Sequence, residues 1–317
     1  MPNFVFFSIF RIIGSNSNKK KDTTRMTARS YKVAGHVFTL ESDLDIDEGL
    51  QNYAPFAVPA GETSPAVFTL KIVRQAQQGD GPQIEYTEEA CQDEEGQQIV
   101  CGHTVNRQSI FEFRLAHKLS GTLVCEEDYK NSTVFITDFA PKYCINNAMM
   151  VLYALATAPL GTALFHSAVV SHNGYGYMFL GKSGTGKSTH ARLWLANIEN
   201  TTLLNDDNPV VRVQSDGIKV YGSPWSGKTP CYKNESCPLG GIVLLQQAPY
   251  NKIRALRGIE AYAAVLTSIS GKRWDKKIAD GLHETENAIA KDAHVYHLEC
   301  LPDNDAAKLC HETIRVK

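Results

Sequence analysis

The octapeptide Gly181-Lys182-Ser183-Gly184-Thr185-Gly186-Lys187-Ser188 constrains this chain more than any other run in it. It fits a glycine, four residues, Gly-Lys and a final Ser or Thr in full. Its surroundings are those the pattern requires. The apolar run Tyr177-Met178-Phe179-Leu180 leads in as a strand, and a helical stretch carrying Leu193, Trp194 and Ile198 leads out. Glycines let backbone N–H groups converge on phosphate oxygens without Cβ clashes. The N-terminus of the following helix adds its dipole. In such a cradle Lys187 reaches the β- and γ-phosphates, and the Ser188 hydroxyl is a ligand for Mg²⁺. The expected nucleotide-binding residues are therefore Gly181, Ser183, Gly184, Thr185, Gly186, Lys187, Ser188 and Thr189. ATP and Mg²⁺ are the expected cofactors.

Two carboxylates stand at the right remove. Asp206 and Asp207 follow Thr-Thr-Leu-Leu-Asn, 19 and 20 residues after Lys187. A helix and a short loop fill the gap, so this apolar run is expected as a strand beside the phosphate-loop strand. Carboxylates at a strand's end occupy the edge where ligands bind in α/β sheets. Either could bind Mg²⁺, and one could accept a proton from an attacking hydroxyl. The run Asn-Asp-Asp-Asn-Pro is also good turn composition. His166 sits in Leu-Phe-His-Ser-Ala-Val-Val, an expected strand just upstream. If that strand and the next form a hairpin, residue 166 falls level with residue 181. A lone strand histidine is otherwise a structural residue.

Further basic groups offer anion contacts. The Gly-, Ser- and Pro-rich loop 222–232 carries Trp225 and Lys228. Between 251 and 277 lie Lys252, Arg254, Arg257, Lys272, Arg273, Lys276 and Lys277, against Glu260 and Asp275. Such an excess could receive an acidic partner or steady a transferred phosphate, or form a solvated face.

The rest of the chain divides by its hydrophobic period. Residues 27–140 alternate in short runs such as Ala-Val-Phe-Thr-Leu-Lys-Ile-Val, the period of half-buried strands. The polar stretch 74–100 reads as a loop or an exposed hairpin, its acidic run as solvated surface. From 144 to 157 the chain is apolar and reads as a buried helix ended by Pro159, with the domain boundary near Pro141. Beyond it come a strand at 163–171, a hairpin turning at Asp216-Gly217, helices at 255–270 and 274–291, a strand near 293–300 and a final helix. Residues 1–26 open Met-Pro-Asn-Phe-Val-Phe-Phe, with their charges after the apolar run, unlike a signal peptide. They are expected to be a disordered or spurious extension, with translation from Met26.

Composition excludes several classes. The 317 residues carry a formal net charge of −2, which disfavours nucleic acid as a partner. No stable membrane span is expected, since no stretch approaches the roughly 18 to 20 apolar residues that one requires. The eight cysteines contain no CxxC pair, their smallest gap being Cys231 to Cys237, so a structural zinc site is disfavoured. Free thiols in a reducing cytoplasm are expected.

The run from His166-Ser167-Ala168 through Gly181–Ser188 to Leu203-Leu204-Asn205-Asp206-Asp207 resembles the catalytic domain of HPr kinase/phosphorylase. That family shares a P-loop fold with ATP-dependent phosphoenolpyruvate carboxykinase. The resemblance covers about 145 to 317. It implies an α/β (α+β) P-loop kinase domain at 141–317, behind the β-rich domain that the hydrophobic period gives at 27–140. It implies Lys187 on the transferred phosphate, Asp207 as general base with Asp206 beside it, and His166 in the active site. Ser188, Asp206 and Asp207 would be the metal ligands. A catalytic arginine would lie in a later basic loop, with Arg254 and Arg257 as the candidates and Lys228 as a further substrate contact. The activity implied is transfer of the γ-phosphate to a hydroxyl, a serine first, of a protein, peptide or small molecule. A homo-oligomer is compatible with this. The family's loop is usually followed by Glu, where this chain has Thr189, and residues 27–140 do not resemble its N-terminal domain. A nucleotide-gated binding protein and a carboxykinase-like enzyme are the rival readings.

Overall fold

The computed structural model describes residues 26–44, 46, 49–59, 64–75, 84–227 and 229–316. The extension expected over 1–26 therefore lies outside the described residues, apart from Met26, as does Lys228. The described chain is mixed α/β with two sheets, and it divides into two compact units between Thr157 and Ala158.

The first unit is a sheet of eight described strands: β1 (Thr27–Val33), β2 (His36–Ser42), β3 (Thr69–Arg74), β4 (Tyr86–Glu94), β5 (Gln97–Thr104), β6 (Ser109–Leu115), β7 (Lys118–Cys125) and β8 (Asn131–Ile136). Their order is β1-β2-β3-β8-β7-β6-β5-β4. The central β2, β3 and β8 run parallel, and the remaining neighbours are antiparallel. Alternation explains the faces: Leu70 and Ile72 of β3 are buried while Lys71 between them is exposed. Within 74–100 the hairpin alternative holds from Tyr86 onward. Glu94 pairs with Gln97 across Glu95-Gly96, whose φ values are 51° and 82°. Two positive-φ residues are what a tight hairpin turn demands.

Helix α1 (Pro141–Thr157) packs on β6, β7 and β8. It thus clusters with the first unit, and the division falls after it rather than near Pro141. Its apolar residues are buried nearly all round, with Tyr153 Oη donating to Val33 O at 3.1 Å. The stretch Pro141–Leu160 is long and apolar enough to cross a membrane, against the sequence expectation, and 83% of its apolar window is buried inside the protein. A buried core helix passes the same test, so no span is shown either way.

The second unit contains β9 (Thr162–Leu164), β10 (Ser167–His172), β11 (Tyr175–Leu180), α2 (Lys187–Asn197), β12 (Thr201–Asp207), β13 (Val210–Gln214), β14 (Gly217–Tyr221) and β15 (Ser236–Gln247). These are followed by β16 (Lys252–Leu256), α3 (Ile259–Leu266), α4 (Lys276–Asp292), β17 (Val295–Cys300) and α5 (Asn304–Ile314). Parallel β11, β15 and β17 form the centre. Antiparallel β10 and β12 extend it on one side and β16 on the other. The start of β15 also pairs with β14, which leads through β13 to β9.

Several expectations change here. The acid-bearing strand β12 neighbours β10, so one strand separates it from the phosphate-loop strand β11. The strand expected at 163–171 is broken: β9 and β10 pair in different parts of the sheet, and His166 lies between them. Gln214 pairs with Gly217, which sets that turn at Ser215-Asp216. Residues 252–256 are strand, and helix α3 begins only at Ile259.

Trp194 of α2 fixes the helix to the sheet. It is fully buried among Tyr177, Phe179 and His190, and its Nε1 donates to His190 Nε2 at 3.2 Å. Burial pushes His190 down to about 4. Trp194→Ala is expected to cost about 3–5 kcal/mol in denaturant unfolding. His190 must stay neutral in the folded protein. Its contribution is full above the ordinary histidine value and fades as pH falls from about 6.5 toward 4. Across that window the loss is on the order of 3 kcal/mol, and His190→Gln should flatten the slope.

Candidate active site

The hairpin β10–β11 sets the register of the site. His172 pairs with Tyr175 across Asn173-Gly174, whose φ values are 48° and 81°. From that turn the pairing runs to Ser167 opposite Leu180, while Ser167 also faces Asp207 on β12. Residue 166 is therefore level with Gly181, and the acids end their strand in the same row. The backbone N–H of His166 donates to Ser268 O at 2.8 Å, which anchors it where the strand breaks.

The phosphate loop runs from Gly181 to Gly186, with φ of 149°, 79° and 106° at its three glycines. Left-handed backbone of this kind favours glycine. Lys182, Ser183 and Gly184 are exposed, and Ser188 is half-buried in the first turn of α2. That turn has no acidic residue and no side-chain cap at Gly186. Its N–H groups are thus available to an anion. Gln247 Nε2, at the end of β15, donates to Gly184 O at 3.3 Å and Thr185 O at 3.4 Å, which ties the loop to that strand end.

Lys187 is buried and turned back on its own loop. Its Nζ donates to Gly181 O at 2.9 Å and Lys182 O at 3.2 Å, and lies 2.7 Å from His166 Nε2. An ammonium has no lone pair, so it must donate to Nε2. The ring proton then sits on Nδ1, which is 3.2 Å from Asp207 Oδ1. Lysine, histidine and aspartate form one buried chain.

Asp207 is held on every side. Asn208 Nδ2 donates to its Oδ2 at 2.8 Å, and its own N–H donates to Asn205 Oδ1 at 3.1 Å. Asn205, fully buried, also donates to Ser223 Oγ at 3.1 Å and Trp225 O at 3.3 Å. Burial pushes the Asp207 carboxyl above the usual carboxylate range, His166 and Lys187 pull it back, and Asp206 adds to the rise.

Asp206 differs. It pairs with Ala168, which pairs with Phe179, and residues directly opposite share a face. Phe179 packs on His190 and Trp194, so Asp206 is on the face covered by α2. It is 5% exposed, and its Oδ1 is buried without a hydrogen-bond partner. Ser167 Oγ, in the row of Asp207, is likewise buried without one. Among the described residues no group of three His, Cys, Asp or Glu could hold a metal. The unpartnered Asp206 oxygen and the Ser188 hydroxyl are both oxygen donors, the ligand type that Mg²⁺ takes.

The loop after β14 closes over the acids. Ser226 bridges to Asp207, and Gly227 N donates to Asp206 O at 2.9 Å. A Cβ at 227 would stand 3.0 Å from Asp206 O and 3.2 Å from Asp207 Cβ.

The structure thus brings together Lys187, His166, Asp206, Asp207 and the loop residues. It does not bring Arg254 to them. Arg254 lies on the edge strand β16, five strand spacings from β12, or about 24 Å along the sheet. Its guanidinium is bound to both carboxylate oxygens of Glu260 at 2.9 and 2.8 Å. Arg257 follows that strand and lines a separate cleft. The basic excess is partly spent within the fold, Arg273 on buried Glu286 and Lys276 on Asp280. Asn205, Asn208, Ser223 and Gln247 escaped the sequence reading. The two asparagines were visible in it as turn formers, and their bonds to Asp207 needed the fold.

No family model matches this chain, and no curated protein matches it.

His166→Leu removes the two largest contributions that hold the Asp207 carboxyl down. Its pKa is expected to rise further, as read by carboxyl ¹³C NMR titration. Gly227→Ala is expected to press on the Asp206 carbonyl and the Asp207 side chain, costing about 1–3 kcal/mol and shifting the Asp207 carboxyl resonance.

Proposed function

We propose that this chain is a Mg·ATP-dependent kinase that transfers the γ-phosphate to a hydroxyl, a serine first, of a protein, peptide or small molecule. The observation that carries the reading is the buried chain Lys187–His166–Asp207 between a phosphate loop and an orphaned second carboxylate. The resemblance to HPr kinase/phosphorylase supports the same class.

The geometry supports the following roles. The uncapped first turn of α2 receives phosphate oxygens on its N–H groups. Lys187 exchanges the carbonyls of Gly181 and Lys182 for phosphate oxygens. These are stronger partners because both sides are charged. Asp206 and Ser188 would hold Mg²⁺, which neutralises charge building on the phosphates. The acceptor oxygen attacks the γ-phosphorus, a new P–O bond forms, and the bond to ADP breaks. Asp207 takes the acceptor's proton. Its burial raises its basicity, while His166 and Asn208 fix its oxygens. His166 is a positioning residue that couples the ammonium to the base. The faces of the two acids support this division of labour: Asp206 toward the loop helix, Asp207 toward His166. The cytoplasm, with its ATP and Mg²⁺, is the compartment this reading implies.

The test is transfer from γ-labelled ATP in lysate of the source organism. The wild type should label an acceptor, and Lys187→Ala should not. Asp207→Asn should keep ATP binding and lose transfer by about 10²–10⁴. Asp206→Asn should need more Mg²⁺ for the same rate. ATP binding with no labelled product would favour a nucleotide-gated binding protein, and oxaloacetate-dependent ATP consumption a carboxykinase-like enzyme.

A further inference from the structure

A second cleft of about 810 Å³ lies in the same unit, lined between Ala255 and Tyr296 and sharing no residue with the phosphate loop or the acids. Its walls are the first turns of α3 and the second half of α4, and its floor is the end of β16 and the start of β17. The volume is within the range of small-molecule sites, roughly 300–1,000 Å³.

The lining is apolar with a one-signed polar set. Leu256, Ile259, Ala290 and Val295 supply apolar surface, Ile259 being 78% exposed. Arg257, Lys291, His283 and His294 also line it, and no lining residue is acidic. No ion pair among the described residues engages Arg257 or Lys291, in contrast to the neighbouring Arg254. One wall is rigid. Tyr262 Oη donates to Glu286 Oε2 at 3.0 Å and lies 2.9 Å from His283 Nδ1. Asn287 Nδ2 lies 2.9 Å from His283 Nε2, so that nitrogen accepts and Nδ1 carries the proton. Glu286, buried behind Tyr262, is paired with Arg273 at 2.7 Å, so its charge is answered on the side away from the cleft.

We infer that this cleft binds a small amphipathic anion: an aromatic or alicyclic body bearing one carboxylate, sulfonate or phosphate. The body would rest on the apolar floor and the Tyr262 ring, and the anionic group between Arg257 and Lys291. An apolar cavity with two unpaired cations at its rim selects charge and apolar area together. The site is independent of the proposed kinase reaction and stands or falls separately from it.

The test uses 8-anilinonaphthalene-1-sulfonate as the anion and N-phenyl-1-naphthylamine as the same rings without charge. Calorimetry on the full chain should show one saturable site for the sulfonate. The neutral analogue should bind about tenfold weaker or less tightly still. Arg257→Ala with Lys291→Ala, both exposed residues, should weaken the sulfonate by at least about tenfold. Lys187→Ala and saturating Mg·ATP should leave its binding unchanged, which separates this result from any failure of the kinase reading. Hydrogen exchange on the wild type should show protection within 255–262 and 287–296 and needs no variant. Absence of saturable binding, equal binding of the neutral analogue, indifference to the double variant, or protection elsewhere would each overturn the inference.

Discussion

The ammonium of Lys187 is the constraint on which the second unit depends. A buried positive charge is expensive unless its donors are met. Here they are met by the carbonyls of Gly181 and Lys182 and by His166, with Asp207 behind the ring. Those partners come from the phosphate loop, a strand break and a strand end. The hairpin β10–β11 and the pairing β10–β12 must be in register for all of them to meet. A slip of one residue would turn the paired side chains to the wrong face and strand the charge.

The same arrangement separates the two acids. On one strand, successive residues point to opposite faces. Asp206 is thereby aimed at the side of α2 and Asp207 at the side chain of His166. Asn205 and Asn208 flank them and take up the polar groups that a buried strand end would leave unmet. One carboxylate is satisfied and basic, and its neighbour keeps an oxygen without a partner. This asymmetry is what supports the different roles proposed for the two acids.

Much of this was legible in the sequence. The strand–loop–helix around Gly181–Ser188 followed from glycine spacing and apolar runs, and the level of His166 from the length of its hairpin. Non-local pairing was not legible. The order β12-β10-β11 inserts a strand that no local pattern announces. The break at His166 arises because β9 pairs with β13 while β10 pairs with β11 and β12, a division set by tertiary partners. Arg254 was drawn to the site by the resemblance, which implies an arginine in a later basic loop. Its strand lies at the far edge and its guanidinium is occupied by Glu260. Helix α1 was read correctly as buried, but its choice of sheet depended on packing against β6–β8.

The central claim is that the Lys187 ammonium is stored on His166 and the loop carbonyls and passes to phosphate when nucleotide binds. Nitrogen-15 NMR of the His166 ring during a Mg·ATP titration tests it most directly. The account predicts a proton on Nδ1 and a bonded Nε2 in the free protein, then a saturable shift of Nε2 as Lys187 leaves it. The shift should be absent in Lys187→Ala. A ring protonated on Nε2 in the free protein, or an Nε2 resonance unmoved at saturating nucleotide, would contradict it.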